Sequence, residues 1–429
     1  MVGGSSEGQR TVSEKSAYIY DPIHGSIHLS GVMLELMGHP LLQRLWGIRQ
    51  TGMAHLVFPG SSHTRLEHSL GTRWVTREMS AHLGLPSREA TSLEIAGLLH
   101  DLGHTPFSHS LEPALVESTG ENHEDRTGRL IRGDLPRGME AFGQDILEYR
   151  APSIPEVLER HDVDPREVAK LLGQGFREKP YLRELLHGTI DADRLDYMLR
   201  DAHYTGVAHG VVDKSRIIAT LGLHRNHVAF FEKGRAAVEG FLIGRSLMYS
   251  SVYFNKTVRV AETMLLSAVE RHPEFLDRGG EILTATDGRL LTALDSAGGI
   301  SRELARRLEA RVLYKVAITS DKVSPTLTAH YRENPAERRA AEDAMAEELG
   351  GRGGNVLIDI PPVLELPGED VRMLPDEGAE YRLLAKDPYL SRLVSRSPAP
   401  WELAVYTSPQ YLAETQRRGF TWLRRHLRR

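Results

Sequence analysis

The stretch that decides the fold reads Ser92-Leu-Glu-Ile-Ala-Gly-Leu-Leu-His-Asp-Leu-Gly-His-Thr-Pro-Phe-Ser-His109. Its apolar first half predicts a buried helix over Leu93–Leu99, with Ser92 as the cap and Gly103 as the stop. A His-Asp doublet follows that helix directly. The pattern places an imidazole beside a carboxylate at the polar end of an apolar helix, where acid–base or metal chemistry can occur in a dry pocket.

The composition is that of a protein with a sizeable apolar core. The chain has 429 residues, of which 40% are hydrophobic. Its mean hydropathy is −0.33 and no apolar run is long enough to span a membrane. The net charge of −5, from 53 basic and 58 acidic residues, argues against nucleic acid as the main partner. Cysteine is absent, which excludes thiolate metal sites and favours a reducing cytoplasm.

Hydrophobic periodicity predicts a mainly α fold with a small β-hairpin that turns near Gly25. Thr64 is one of the candidate caps of a helix that runs to about Leu83. Further helices are predicted over Pro40–Gln50, Pro155–Gly173, Pro180–Asp201, Gly234–Arg271, Glu303–Tyr314, Ala336–Leu349 and Ser408–Arg429. Strands are predicted over His224–Phe231, Asn355–Ile360 and Leu403–Tyr406, and a loop over Gly133–Ala151.

The same pass along the chain predicts its organisation. Residues 1–17 are expected to be a flexible tail, 18–314 a helical domain and 315–429 a mixed α+β C-terminal region. The breaker Gly350–Gly354 falls within that last region. We expect a homodimer or homotetramer, with Leu41–Arg49 or the C-terminal region as the interface.

Three predicted helices carry candidate metal ligands. His68 lies on the first, His100 and Asp101 end the second, and Asp193 lies on the third. Two imidazoles and two carboxylates suit Mg²⁺, Mn²⁺, Fe²⁺ or Zn²⁺ and do not suit a soft ion. Alternatively, each histidine is a hydrogen-bonded structural residue.

Two helical stripes are candidates for substrate binding. Asp193, Tyr197 and Asp201 fall on one face, which Arg194 borders. A solvated charged face is the alternative, although the phenol interrupts the acids. A second stripe comprises Arg245, Tyr249, Tyr253 and Lys256. It suits a polyphosphate with a sugar or base stacked nearby, and equally a helix that packs its tyrosines in the core.

Four stretches together resemble the HD-domain metal phosphohydrolases, and more closely the SAM-and-HD-domain deoxynucleoside triphosphate triphosphohydrolases. They are Asp21–Gly25, Val57–Gly71, Ile95–His109 and Asp193–Asp201. The resemblance runs from about Tyr18 to Lys256. It implies an HD-domain helical core and an enzyme that cleaves between the 5′-oxygen and the α-phosphorus, releasing nucleoside and inorganic triphosphate.

The resemblance also implies roles for individual residues. His68, His100, Asp101 and Asp193 would hold the divalent metal. His104, His109 and His123 would surround the α-phosphate, with Glu112 tuning His109. The 5′-alkoxide leaving group needs a proton, for which His109 is the first candidate general acid and His104 and His123 are the competitors. Phosphates would be bound by Arg65, Arg194, Tyr197, Arg245 and Lys256, and the sugar and base would lie near Gln50, Asp201 and Tyr253. Thr51 and Tyr249 are further candidates for substrate binding, at positions where this chain departs from the family.

One departure concerns the sugar. In the family a leucine commonly follows the glutamine at Gln50 and helps to exclude a 2′-hydroxyl, but this chain has Thr51. A smaller side chain that forms hydrogen bonds predicts weaker discrimination against ribonucleotides.

Two other functions fit parts of the pattern. An HD phosphohydrolase could act on another phosphoester, such as a monophosphate, a cyclic nucleotide or a modified nucleotide. The presence of four cationic side chains favours a triphosphate over a monophosphate. They are Arg65, Arg194, Arg245 and Lys256. The other alternative is a nucleotide sensor with a silent site, which has no chemical need for a complete set of metal ligands.

Overall fold

A computed structural model describes residues 15–134, 152–173, 178–272, 284–321, 325–362, 371–375, 381–384 and 401–426, with single residues 274, 282, 388 and 399. Most of the loop expected over Gly133–Ala151 lies outside these ranges. Within them, no helix has both the length and the apolar character needed to cross a bilayer.

The fold is mainly α, as predicted. The α-helices are α1 Gly31–Met37, α2 Pro40–Gln43, α3 Arg65–Leu83, α4 Ser87–Leu99, α5 Glu112–Thr119, α6 His123–Arg132, α7 Ile154–Arg160, α8 Pro165–Leu172, α9 Pro180–His187, α10 Ala192–Thr205, α11 Lys214–Ala219, α12 Arg235–Met248, α13 Lys256–Glu270, α14 Asp287–Ala297, α15 Gly299–Glu309, α16 Pro325–Glu333, α17 Pro335–Glu348 and α18 Leu412–His426. Short 3₁₀ turns cover Arg44–Gly47, Gly52–Leu56, Ser108–Ser110, Ala208–Gly210, Glu232–Gly234 and Pro409–Tyr411.

The strands form three small sheets. They are β1 Ser16–Asp21, β2 Gly25–Ser30, β3 Leu221–His224, β4 His227–Phe231, β5 Lys315–Ser320, β6 Val356–Asp359, β7 Arg372–Leu374, β8 Arg382–Leu383 and β9 Leu403–Thr407. β1 and β2 form the predicted antiparallel hairpin, and β9 lies between β5 and β6. β7 pairs in parallel with β4, so the C-terminal region completes the sheet that β3 and β4 begin.

Helix α3 packs against both α4 and α10, and these three helices position the site. The apolar face of α4 is buried, with Leu93, Ile95 and Leu98 fully inaccessible to solvent. Each such side chain stabilises the fold by about 1.5–3 kcal/mol relative to an exposed one. A Cβ at Gly97 would lie 3.1 Å from the Thr76 side chain and 3.3 Å from the Arg73 Cα, so the glycine lets α3 and α4 approach closely.

The predicted start of α4 is wrong, whereas its predicted last residue, Leu99, is confirmed. The helix begins at Ser87 after Pro86, and Ser92 lies inside it, buried. The polar residues from Ser87 onward form an exposed first turn, which the apolar pattern does not show. Gly103, predicted as the stop, lies four residues beyond Leu99, and His100 at the C-cap still has helical φ and ψ values of −56° and −30°.

Other helices are shorter than predicted. The segment after Pro40 changes to a 3₁₀ turn at Arg44. Asp164 and Asp191 cap new helices inside the two ranges predicted as continuous. The long helix over Gly234–Arg271 is interrupted by a π turn at Tyr249–Tyr253, and Asn255 then caps α13.

The strand predicted over His224–Phe231 is also wrong at its start. Arg225 and Asn226 have φ values of 48° and 68°, a left-handed pair typical of a two-residue hairpin turn. The turn separates β3 from β4, which pair antiparallel. The strands predicted over Asn355–Ile360 and Leu403–Tyr406 are confirmed within one residue at each end.

Candidate metal centre and phosphate pocket

The start of α3 fixes two candidate site residues. Thr64 and Glu67 form a capping box, in which the Thr64 backbone N–H donates to Glu67 Oε2 at 2.6 Å. The box satisfies backbone donors of the first turn. It thereby directs Arg65 and His68 into the protein, where they are 2% and 1% exposed.

The start of α10 brings the third element to the site. Asp191 accepts a hydrogen bond from the Arg194 backbone N–H at 2.6 Å and places Asp193 in the first turn. A Cβ at Gly71 would lie 1.9 Å from Asp196 Oδ1, so only glycine allows α10 to approach α3 this closely.

The four predicted metal ligands converge. His68 Nε2 lies 3.0 Å from Asp193 Oδ1 and 3.2 Å from His100 Nε2. His100 Nε2 is in turn 3.2 Å from Asp101 Oδ1. The side chains of His68, His100 and Asp101 are at most 4% exposed, whereas that of Asp193 is 26% exposed. The centre is therefore buried on three sides and reached from the side of Asp193.

The donor set fits a divalent cation. His68 Nδ1 lies 2.7 Å from Asp196 Oδ2 and His100 Nδ1 lies 2.8 Å from the Gly97 carbonyl oxygen. These acceptors favour a proton on each Nδ1, and the two Nε2 atoms face each other across 3.2 Å. A divalent ion bound there would replace the proton that His68 carries in its absence, and neutral imidazoles with outer carboxylate or carbonyl partners are the usual metal-bound form.

The charges around the centre also favour a cation. Burial lowers the pKa of His68, but its hydrogen bonds to Asp193 and Asp196 outweigh burial and raise that pKa to about 10. Burial raises the pKa of Asp101, and the cations around it, chiefly the Arg65 guanidinium, hold that pKa well below its usual range. The carboxylates are therefore ionised at neutral pH, as hard-ion ligands must be.

Behind the metal ligands lies a buried ionic network. Asp196 accepts from His68 Nδ1, from His24 Nε2 at 2.6 Å, and from Arg200 Nε at 2.9 Å. Arg200 Nη1 also donates to Asp21 Oδ2 at 2.7 Å. The turn of the β-hairpin thus holds the residue that orients His68.

We expect Asp196→Asn to weaken metal binding by about 10- to 100-fold, because the amide no longer orients His68 with a negative charge. Isothermal titration with Mn²⁺ measures the effect. Asp134→Asn, on a side chain that is 59% exposed, is the matched control. An unchanged Mn²⁺ affinity in a folded Asp196→Asn protein would contradict this role.

A second cluster adjoins the metal centre. Glu112 accepts from His109 Nδ1 at 3.1 Å and from His123 Nδ1 at 2.7 Å. The ring of His104 stacks on that of His123 with centroids 4.0 Å apart, and His104 Nε2 lies 3.4 Å from Asp101 Oδ1. Burial raises the pKa of Glu112, but its two histidine partners lower it far more. The His109 side chain is 67% exposed, so it faces open space beside the centre.

Buried polar atoms without hydrogen-bond partners lie among the predicted substrate-binding residues. They are Arg65 Nη2, Arg245 Nε and Gln50 Oε1. The other nitrogens of Arg65 donate to Asp101 and Ser108. A buried guanidinium nitrogen without an acceptor destabilises the folded protein unless an anion accepts its hydrogen bond.

The structure also relates the predicted substrate residues to one another. The Tyr197 ring lies 6.5 Å from His68 and 6.4 Å from Tyr253. Arg245 interacts with Tyr197 and stacks over the Tyr249 ring at 5.6 Å. Lys256 is exposed at the first position of α13. The π turn means that the stripe predicted on one regular helix is not continuous.

Three of the predicted substrate residues already have hydrogen-bond partners within the protein. The Arg194 guanidinium donates to the Gly188 carbonyl oxygen and to Asp191 within its own helix start. Asp201 accepts from the Tyr253 hydroxyl at 2.5 Å and from His63 Nε2 at 2.7 Å. Thr51 Oγ1 lies 2.7 Å from Ser61 Oγ.

Sequence reasoning missed two residues of this region. Asp196 stands one turn after Asp193, and its spacing was the available signal for a second acid on α10. His63 supports Asp201 and stacks on Tyr204 with ring centroids 4.5 Å apart. Nothing in the local sequence signals that contact, because 138 positions separate His63 from Asp201.

Comparison with known families matches most of the chain. Residues 65–201 match the HD domain, and residues 212–424 match the HD associated region. The first range begins at Arg65 and contains all four converging ligands.

Individual relatives also match this chain over most of its length. An uncharacterized protein of Methanocaldococcus jannaschii is 29% identical over 412 residues, which is 92% of this chain and 80% of that one. The deoxynucleoside triphosphate triphosphohydrolase SAMHD1 of Bos taurus is 27% identical over 414 residues, or 84% of this chain and 69% of that one.

A solved structure is also similar to most of this chain. The crystal structure of a phosphohydrolase from Bacteroides thetaiotaomicron has a TM-score of 0.69 and 25% identity, covering 91% of this chain and 99% of that chain. Together with the two family matches and the converging His and Asp ligands, this similarity shows that the chain belongs to the HD-domain phosphohydrolases, a family of metal-dependent hydrolases.

Proposed function

We propose that this HD-domain protein hydrolyses (deoxy)nucleoside triphosphates to a nucleoside and inorganic triphosphate. The observation that carries the proposal is the pair of buried, unpaired guanidinium nitrogens, Arg65 Nη2 and Arg245 Nε. Arg65 also contacts the proposed metal ligand Asp101, at 2.6 Å. An anion bound beside the metal centre would therefore accept a hydrogen bond from the free Nη2 of Arg65. Similarity to proteins named deoxynucleoside triphosphate triphosphohydrolases supports the same substrate class.

His68, His100, Asp101 and Asp193 would hold the divalent ion, with Mn²⁺, Mg²⁺, Fe²⁺ and Zn²⁺ as candidates. When bound, such an ion supplies Lewis acidity and lowers the pKa of water. The reaction joins a water oxygen to the α-phosphorus and breaks the bond from that phosphorus to the 5′-oxygen.

The cationic residues would stabilise the charge that develops on the phosphate oxygens. Arg65 is held from two sides by Asp101 and Ser108, which fixes the direction of its free nitrogen before substrate arrives. Donors positioned in advance stabilise a transition state more than mobile ones do. Arg245 and Tyr197 would bind the outer phosphates, together with Arg194 and the exposed Lys256.

The 5′-alkoxide leaves poorly and needs a proton. We assign the general acid to His109, because Glu112 orients its Nδ1 and its ring faces open space. His123 shares the same carboxylate, and His104 stacks against it, so these two rings are the competing assignments.

Sugar and base would lie between the Gln50–Thr51 segment and the Tyr249 and Tyr253 rings. Asp201 carries one hydrogen bond on each oxygen and retains lone pairs for a sugar hydroxyl. Thr51 is turned toward Ser61 and leaves more room than a leucine. Measurable turnover of ribonucleotides is the expected consequence.

One assay tests the proposal. The purified protein is incubated with each dNTP and each NTP and with Mn²⁺ or Mg²⁺, and anion-exchange chromatography separates the products. We expect nucleoside and inorganic triphosphate in equal amounts. Pyrophosphate or single phosphate as the product, or turnover of monophosphates or cyclic nucleotides alone, would indicate another phosphoesterase. Nucleotide binding without turnover would indicate a sensor.

A further inference from the structure

The loop that carries His109 has an unfavourable backbone. Phe107 and Ser108 are consecutive non-glycine residues with φ values of 55° and 58°. Such left-handed residues are uncommon and persist only where the surroundings hold them, frequently at functional sites. Phe107 is 1% exposed and His109 follows the pair directly. Some contact must therefore hold this loop in place.

That contact comes from far along the chain. Asp287, the first residue of α14, accepts from the Phe107 backbone N–H at 2.7 Å through Oδ1. Its Oδ2 accepts from the Arg49 backbone N–H at 3.0 Å. The Asp287 side chain is 5% exposed, so water does not compete for these bonds. A single carboxylate thus joins the His109 loop to the segment that carries Gln50.

The two joined segments also meet each other and the phosphate pocket. Ser108 Oγ donates to the Arg49 carbonyl oxygen at 2.9 Å and accepts from Arg65 Nε at 2.6 Å. The backbone that Asp287 fixes therefore fixes Arg65 as well. Displacing this backbone would move Arg65, which is proposed to bind phosphate, together with His109, the proposed general acid.

Neighbours of Asp287 pack into the same place. A Cβ at Gly47 would lie 2.3 Å from Thr286 Cγ2, so the glycine permits the close approach. Arg44 donates to the Ala285 carbonyl oxygen at 3.2 Å and to the His104 carbonyl oxygen at 2.8 Å. Asp287 thus contacts the His109 loop directly at Phe107, and Ala285 is linked to the same loop at His104 through Arg44.

We propose that Asp287 is a positioning residue for catalysis: its carboxylate clamps the Phe107–Ser108 turn to the Arg49–Gln50 segment and so aligns His109 and Arg65 with the substrate. The inference rests on the proposed function for its kinetic consequence. It gives the HD associated region, in which Asp287 lies, a direct part in the reaction of the HD domain.

Full-length Asp287→Ala and Asp287→Asn proteins, loaded with Mn²⁺, test the clamp. We expect kcat for dNTP hydrolysis to fall about 100-fold in Asp287→Ala, because misplacing catalytic groups by about 1 Å has that effect. Asp287→Asn keeps one acceptor oxygen and is expected to lose about tenfold. Metal content stays at the wild-type value in both. Asp295→Ala, on the exposed side of the same helix, is the matched control.

Hydrogen–deuterium exchange gives a readout independent of activity. Peptides covering residues 104–110 and 47–51 are expected to exchange faster in Asp287→Ala, while peptides from α3 keep their protection. Wild-type exchange in both peptides, or wild-type kcat in the folded, metal-loaded variant, overturns the clamp. If the wild-type protein cleaves no nucleotide, the proposed function fails and the exchange result alone decides. If Asp287→Ala does not fold, both measurements are read from Asp287→Asn.

Discussion

Replacing His68 by alanine is expected to remove the metal from the protein and to abolish hydrolysis. His68 Nε2 lies 3.0 Å from Asp193 and 3.2 Å from His100 Nε2, so its loss opens the centre on one side. A Lewis-acidic ion contributes several kcal/mol to phosphoryl chemistry. At about 1.4 kcal/mol per factor of ten, turnover falls roughly a thousandfold or more.

Two measurements check this result. Elemental analysis is expected to find about one metal per wild-type chain and none in the variant. The melting temperature of the wild type rises with added Mn²⁺, because the ion binds only the folded state, and that rise is absent in the variant. His100→Ala gives the same outcome without disturbing Asp196. His203→Ala, an exposed histidine on α10, is the control. A metal-free His68→Ala protein with undiminished turnover would contradict the account.

The second large effect is expected from Glu112→Gln. The carboxylate holds both His109 and His123, and the amide orients at most one of the rings in the same way. Removing general-acid catalysis costs about 10²- to 10⁴-fold in rate. We therefore expect kcat for dNTPs to fall by that factor, with KM and metal content nearly unchanged.

The leaving group separates this role from a structural one. 4-Nitrophenyl triphosphate releases a stabilised phenolate that needs no proton, so Glu112→Gln and His109→Ala should cleave it at nearly the wild-type rate. Glu117→Gln, on the same helix with a side chain that is 30% exposed, is the control. Equal losses on the nucleotide and the nitrophenyl substrate would remove His109 and Glu112 from acid catalysis. A loss in His123→Ala alone would transfer the role to His123.

The metal centre was predictable because its ligands occupy recognisable local patterns. The His-Asp doublet ends a clearly apolar helix, and His68 follows a strong capping signal at Thr64. Each pattern is local. The resemblance then indicated that the three helices carrying these ligands meet at one metal. In the structure the candidate ligands on these helices lie close together.

The features that could not be predicted depend on contacts between distant residues or lie in segments without a distinctive apolar pattern. Asp287 binds a backbone N–H 180 positions away, and no periodicity marks it. The π turn at Tyr249–Tyr253 interrupts the predicted helix, and nothing in the periodicity of that segment marks it. The start of α4 was wrong because an exposed first turn has no apolar signature.

The central claim is that α3, the end of α4 and the start of α10 bring two histidines and two aspartates to one cation. Anomalous diffraction at the manganese edge, from crystals grown with Mn²⁺, tests it most directly. The account predicts a single strong peak within about 2.0–2.3 Å of His68 Nε2, His100 Nε2 and oxygens of Asp101 and Asp193. A peak bound elsewhere, or the absence of a peak at a saturating Mn²⁺ concentration, would contradict it.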